Sequence, residues 1–429
     1  MARAVAYICA VLFAAPAFAE PLTLEQAVKL ARERNEQPQI ANAQRDAANA
    51  RVDRARAFFF PDLTVAGTYT RRAYEVTRDV GGQTVVVQSQ NALNGSATIS
   101  MVLFDARGIP LYRAAKADSD AAGFDAQNTE RLIAFQAADA FLQTIGLIQV
   151  QGAAERRLQL AKDSLHDAQA RFESQLVSSN DVTKAELDVA NAEQQLTLAQ
   201  NDVQRAELEL GFLLAVDPPT ELAEPQLKEA EATDAKALVD QALSTRPDLM
   251  ALDARTRSAH FLAQEPLMRL LPTLGLLVNG RGTNEAGLSG HTVDGSAAVI
   301  LSWTIFDGGE RYADRHERLA LLRINELNAQ AAKRQTAAQV NTALVQLGNA
   351  RAAVKQATAA VTAAQKNANE VAELYRQGLA SALDAQSSRV QLFEAEVALA
   401  RTRYGVQIAE LDLRSATGLD PLGKSEESK

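Results

Sequence analysis

Two periodicities alternate along this chain. Short runs alternate apolar and polar residues with the period of two that sends successive side chains to opposite faces of a strand. Long runs repeat apolar residues at three-four spacing, the pattern of packed helices. In the first strand-like run, Leu63, Val65 and Tyr69 oppose Thr64, Thr68 and Thr70. In the second, Ala97, Ile99, Met101 and Leu103 oppose Ser96, Thr98 and Ser100. The third, Thr273 to Arg281, is less regular because Leu276 and Leu277 are adjacent. In the fourth, Ala297, Val299, Leu301, Trp303 and Ile305 oppose Ser296, Ser302 and Thr304. The pattern predicts strands over about 61–72, 95–104, 272–282 and 295–306.

Helical tracts surround these strands. One helix precedes each strand pair (Leu24 to Phe58; Leu238 to Leu271). A very long helix follows each, over about 106–175 and 308–377, and a further helix follows a break, over about 181–216 and 384–418. At 1.5 Å per residue each long helix would measure about 100 Å. Heptad seams include Val354, Ala357, Val361, Ala364, Ala368, Val371 and Tyr375, and Val189, Ala192, Leu196, Ala199, Val203, Ala206, Leu210 and Leu213. The last helix carries two seams. One holds Val390, Phe393, Val397, Ala400, Tyr404 and Leu411, interrupted by Gln407; the other holds Leu392, Ala395, Leu399, Thr402, Val406, Ala409 and Leu413. A two-position offset puts them roughly 155° apart, so this helix has neighbours on nearly opposite sides, as in a ring of about twelve helices.

The whole series occurs twice. "ISMVLFDARG" (from Ile99) answers "LSWTIFDGGE" (from Leu301), and "FFFPDLTVAGTYTR" (from Phe58) answers "RLLPTLGLLVNGRG" (from Arg269). "FESQLVSSNDVTKAE" (from Phe172) answers "YRQGLASALDAQSSR" (from Tyr375). The offset is about 200 residues, too long for a small solenoid repeat. The expected organisation is a first repeat over 20–216, an acidic, Pro-containing linker over 217–234, a second repeat over 235–421, and a disordered tail over 422–429.

Runs of this length suit tilted membrane strands, apolar toward lipid and polar toward a lumen. The lipid-facing set is then Leu63, Val65, Ile99, Leu103, Val299, Leu301 and Trp303. A soluble, half-buried sheet has the same alternation. Four strands cannot close a barrel; three chains would bring about twelve. The stretches Arg78 to Asn94 (with Gly81 and Gly82) and Asn284 to Asp294 (with Gly287 and Gly290) read as polar, exposed connections. Asp105 and Asp307, after Phe104 and Phe306, stand where helix N-caps are expected.

Composition narrows the class. The chain has 429 residues, a net charge of −9 and one cysteine, Cys9. Arg3, the apolar stretch Ala4 to Ala15 and the A-x-A triplet Ala17-Phe18-Ala19 form a secretory signal over 1–19, with Glu20 as the mature terminus. Cys9 lies inside that signal rather than just after it, so neither a disulfide nor a lipid anchor is expected. No basic block suggests nucleic acid. No other apolar run has the length of a membrane helix, so a membrane would be crossed by strands.

The doubled strand–Phe-Asp–helix phrase, "YRQGLASALDAQSSR" and the ending "TRYGVQIAELDLRSATGLDP" resemble the TolC family of outer-membrane channel proteins over nearly the whole mature chain. The resemblance implies a homotrimeric, mixed α/β membrane protein: a twelve-stranded outer-membrane barrel continuing as a coiled-coil tunnel through the periplasm of a Gram-negative bacterium. It implies docking to a periplasmic adaptor and an inner-membrane pump or ABC transporter. It also implies a periplasmic end closed by links between coils and lined by aspartates. Asp181 and Asp384 match the family's acids and Tyr375 its gate tyrosine, while Ser387 and Ala380 stand where the family has a second aspartate and an arginine. Capping or dipole stabilisation is the alternative role for both aspartates.

No catalytic constellation stands out. His166, His260, His291 and His316 are scattered, and no H-E-x-x-H, G-x-S-x-G or phosphate-loop motif occurs. Neither a cofactor nor a metal is expected. The expected function is the outer-membrane duct of a tripartite efflux system. Type I protein secretion, which uses the same conduit, and a non-conducting exported coiled-coil stalk are the alternatives.

Overall fold

The computed structural model describes residues 21–219, 221–225, 234–285 and 291–422. The signal, the centre of the linker, the loop glycines Gly287 and Gly290 and almost all of the tail lie outside the described residues. The first half of the chain forms α1 (Leu24–Arg34), α2 (Glu36–Ala57), β1 (Asp62–Arg71), β2 (Val76–Val80), β3 (Gln83–Gln88), β4 (Asn91–Phe104), α3 (Gly108–Glu173) and α4 (Ser179–Leu214). The second half forms α5 (Ala235–Thr245), α6 (Pro247–Met268), β5 (Thr273–Thr283), β6 (Val293–Ser302), α7 (Glu310–Arg376) and α8 (Ala382–Ala416). Two compact units arise, each drawing on both halves: one from Met1–Pro38, Glu130–Ser244 and Ala337–Lys429, the other from Gln39–Thr129 and Thr245–Thr336.

The second unit carries a four-stranded antiparallel sheet in the order β1-β4-β5-β6. Opposed residues share a face, so the register sorts the side chains. Leu63 pairs with Ile99 and Val65 with Ala97; Ile99 pairs with Val278, Leu276 with Val299, and Leu274 with Leu301. These residues form one continuous apolar face, exposed in the single chain: Val65 is 75% and Leu301 68% accessible. The other face carries Thr64, Thr98, Ser96, Asn279 and Asp294 among others. There Thr98 Oγ1 donates to Asn279 Oδ1 at 3.2 Å and Arg281 to Asn94 Oδ1 at 3.0 Å. Leu276 and Leu277 therefore point to opposite faces.

Three expectations about the strands need correction. Trp303 and Ile305 are not in the fourth strand, which ends at Ser302; the Trp303 indole N–H donates to the Leu270 carbonyl at 3.0 Å. Leu103 falls at a register shift between Val102 and Phe104, where a bulge breaks the alternation. The supposed loop Arg78 to Asn94 is mostly strand: β2 and β3 form a hairpin whose turn glycines have φ 58° and 85°, and β4 begins at Asn91. Two successive positive φ values twist a two-residue turn as a hairpin requires. Glu285 ties the hairpin base to the next strand pair through an ion pair with Arg72 and a 2.6 Å bond from the Ser89 N–H.

Each helix preceding the strands is broken in two, where the sequence pattern predicts one. Asn35 ends α1 with extended dihedrals, and its Oδ1 accepts the Gln37 N–H at 2.9 Å at the start of α2. Its Nδ2 donates to the Leu213 carbonyl at 3.0 Å. Arg246 is extended because Pro247 follows, and the residue before proline is pushed out of the helical region. Asp105 and Asp307 stand just upstream of α3 and α7. Asp105 accepts the Arg107 N–H at 3.0 Å; Asp307 accepts those of Gly309 at 3.1 Å and Arg311 at 3.3 Å. Each also holds an arginine, Arg107 at 2.6 Å and Arg311 at 2.7 Å.

The first unit is helical. Its main core joins Val28 and Ala31 of α1, Phe141, Leu142 and Ile145 of α3, Leu210 and Leu214 of α4, and Tyr404 and Leu411 of α8. Phe141 is fully buried, and truncating such a ring costs about 3–5 kcal/mol. Contrary to expectation, α3 does hold a stretch long and apolar enough to cross a membrane; 61% of it is buried within the protein. The two seams of α8 meet different partners. Phe393, Val397 and Ala400 pack on Val150 and Ala154 of α3 and Ala199 of α4, while Ala409 and Leu413 pack on Val340, Ala343 and Leu347 of α7.

Candidate functional site at the helical tips

The turns joining α3 to α4 and α7 to α8 are built alike. At the first, the Leu176 N–H bonds the Arg171 carbonyl at 2.9 Å and the Gln175 N–H bonds that of Phe172 at 2.9 Å. At the second, Leu379 bonds Leu374 at 2.8 Å and Gly378 bonds Tyr375 at 3.1 Å. Both are Schellman closures, which satisfy the last carbonyls of a helix through a left-handed residue. Leu176 and Leu379 then project outward, 75% and 72% exposed.

The next helices start with reciprocal caps. Ser178 and Ser381 are the N-cap residues, and Asp181 and Asp384 stand three residues on. The aspartates are therefore not the caps themselves, and α4 and α8 begin two residues before the expected 181 and 384. Asp384 Oδ2 accepts the Ser381 hydroxyl at 2.7 Å and its N–H at 3.1 Å; the Ser381 hydroxyl in turn accepts the Asp384 N–H at 3.2 Å. Asp181 Oδ2 accepts the Ser178 hydroxyl and N–H more loosely, at 3.3 and 3.4 Å, while the Asp181 N–H bonds the Ser178 carbonyl at 3.0 Å. Hydrogen bonds from Ser381 to the charged form hold the Asp384 carboxyl below its ordinary value.

Tyr375, in the last turn of α7, is clasped by Arg171 of α3. The Arg171 guanidinium lies 4.8 Å from the ring centre and donates to the Tyr375 carbonyl at 3.1 Å and the Arg376 carbonyl at 3.4 Å. A cation thus binds both a π face and the negative end of a helix. Among the described residues, no hydrogen bond joins Tyr375 to Asp181 or Asp384. The sequence reading missed Arg171, and it missed Asp188 of α4, which is buried between Arg157 and Arg389. A charged residue beside the α4 seam at Val189 was the available signal. Among the described residues, no group of three or more His, Cys, Asp or Glu side chains is placed to hold a metal ion.

The profile of one protein family, outer membrane efflux protein, matches residues 27–216 and 238–419. The chain belongs to the outer membrane efflux protein family. It is 23% identical to outer membrane protein TolC of Escherichia coli K12 over 424 residues, covering 92% of this chain and 82% of that protein. It is 23% identical to the outer membrane efflux protein BepC of Brucella suis over 296 residues; that match covers 68% of this chain and 64% of BepC, a little under two thirds. Among solved structures, VceC of Vibrio cholerae superposes with a TM-score of 0.78 at 17% identity, covering 92% of this chain and 96% of that one. The CmeC outer membrane channel of Campylobacter jejuni gives 0.80 at 17% identity, covering 94% and 87%. These structures share the fold of this efflux-family chain, and the family is not one of enzymes.

Proposed function

We propose that this chain is the exit duct of a tripartite efflux system, seated in the outer membrane and reaching into the periplasm. One observation carries the duct: the sheet β1-β4-β5-β6 is open at both edges and exposes a face that is apolar over most of its length. A bare apolar face suits lipid, and unpaired strand edges are tolerated in a bilayer only when further strands close the sheet. Three copies would close a barrel of about twelve strands around a polar lumen. Leu63, Val65, Ile99, Val299 and Leu301 then face lipid, Trp303 sits at the boundary where indoles are favoured, and Leu103 lies at the bulge. The helices of the three chains continue the wall as a tunnel. The repeats at 20–216 and 235–421 each give it two strands and two helix columns. The tips meet a periplasmic adaptor, which links the duct to an inner-membrane pump. Asp181 and Asp384 of three chains place carboxylates around its mouth, which favours cations.

The test is the mass of the protein in mild detergent together with ion conductance in planar bilayers. A trimer that conducts is expected. A stably folded, detergent-free monomer without conductance would refute the reading.

A further inference from the structure

Two turns beyond Asp181, α4 turns Asp188 into the space between helices. Its side chain is 4% exposed; that of Arg157, from α3, is 6% exposed and lies 3.0 Å away. Arg157 also donates to Gln195 Oε1 at 2.6 Å, and its guanidinium lies 5.6 Å from the Phe393 ring centre. From α8, Gln386 Nε2 donates to Asp188 Oδ1 at 3.3 Å, and Arg389 approaches Asp188 Oδ2 at 4.0 Å. Arg389 is largely buried, and its Nε has no hydrogen-bond partner. One carboxylate is therefore shared by two guanidiniums, with elements of α3, α4 and α8 gathered around it.

Such a knot is a poor way to hold helices together permanently. The cost of stripping water from buried charges nearly cancels their attraction, and apolar side chains in the same volume are often more stable. Its advantage appears on opening. When the helices part, each charge regains its hydration, whereas a parted apolar seam exposes surface that water disfavours. A charged knot thus lets closed and open arrangements lie close in free energy.

We propose that Asp188 is a reversible latch, holding the α3–α4 hairpin against α8 through Arg157 and Arg389 when the duct is closed and releasing it when the three charges hydrate. Asp188 is a positioning residue for closure. This rests on the duct reading above.

The test is single-channel recording from the purified assembly in planar bilayers. Asp188→Asn should raise the frequency of openings at least about tenfold, because it leaves buried guanidiniums unpaired. Asp188→Glu should return it to within about twofold of wild type, since it keeps the charge. The triple variant Arg157→Met, Asp188→Leu, Arg389→Met should assemble with equal or greater heat resistance and open less often than wild type. Where Asp188→Asn fails to assemble, Arg389→Gln, which leaves the Asp188–Arg157 pair whole, should also open more often. Opening frequencies unchanged in Asp188→Asn or Arg389→Gln, or a triple variant that opens as often as wild type or more, would overturn the latch. A wild-type assembly that never conducts would overturn the duct and the latch with it.

Discussion

Gln175 and Gly378 occupy the same place in the two tips, and both hold a left-handed backbone, with φ 59° and 76°. Glycine adopts that conformation freely; a residue with a Cβ crowds the neighbouring carbonyl. The α3–α4 turn therefore carries a strain that the α7–α8 turn does not. Gln175→Gly should stabilise its turn by up to about 1 kcal/mol, and Gly378→Gln should weaken its own by about 1 kcal/mol. Hydrogen exchange at the Leu176 and Leu379 amides of the assembled protein reads both. Slower exchange at Leu379 in Gly378→Gln would contradict the assignment.

The strand register sets a second expectation. Val299 lies well inside β6, on the apolar face opposite Leu276. Val299→Arg should cost about 2–4 kcal/mol of insertion if the residue lies near mid-bilayer. Leu301, one residue from the strand end, should tolerate arginine better, at about 0–1 kcal/mol. Ser296→Arg, on the polar face, should insert close to normally. Yields of heat-modifiable assembly in outer-membrane fractions rank the three. A Ser296→Arg defect as large as that of Val299→Arg would reverse the faces.

The two tip carboxylates give a third. In the proposed duct of three chains, Asp181→Asn with Asp384→Asn removes six charges from the mouth while keeping an amide able to accept from Ser178 and Ser381. Cation selectivity should fall, and block by multivalent cations should weaken. The readout is the reversal potential under a salt gradient. If it stays unchanged in an intact trimer, the aspartates serve only the caps.

Asp384 also predicts a pH dependence. Its carboxyl is lowered from the ordinary value of 3.8 by hydrogen bonds from Ser381. A group lowered on folding contributes stability above its unfolded value and loses it as pH falls through the lowered, folded one. Protection of the first turn of α8 should thus hold from neutral pH to about pH 4 and decline below it. Hydrogen exchange corrected for intrinsic rates, compared with Asp384→Asn, tests this. A variant that declines as steeply as wild type would place the titration elsewhere.

The sequence by itself determined the four sheet strands, the long helices and their faces. Period-two alternation is a local property, so Leu63, Val65, Ile99, Val299 and Leu301 were assignable to one side before any partner strand was known. The two seams of α8 likewise announced two neighbours, because a helix fixes the angle between positions along its own axis. The break at Arg246 had a signal in the proline that follows it, although the helix expected there ran unbroken from Leu238 to Leu271. The rest depended on residues distant in the chain. The end of α1 at Asn35 is fixed partly by the Leu213 carbonyl, 178 residues away. The departure of Trp303 from its strand goes with a bond to Leu270. Asp188 looks like any polar residue on a long helix until packing brings Arg157 from 31 residues away and Gln386 from 198 residues away. A buried charge is defined by what surrounds it, and only tertiary structure supplies the surroundings.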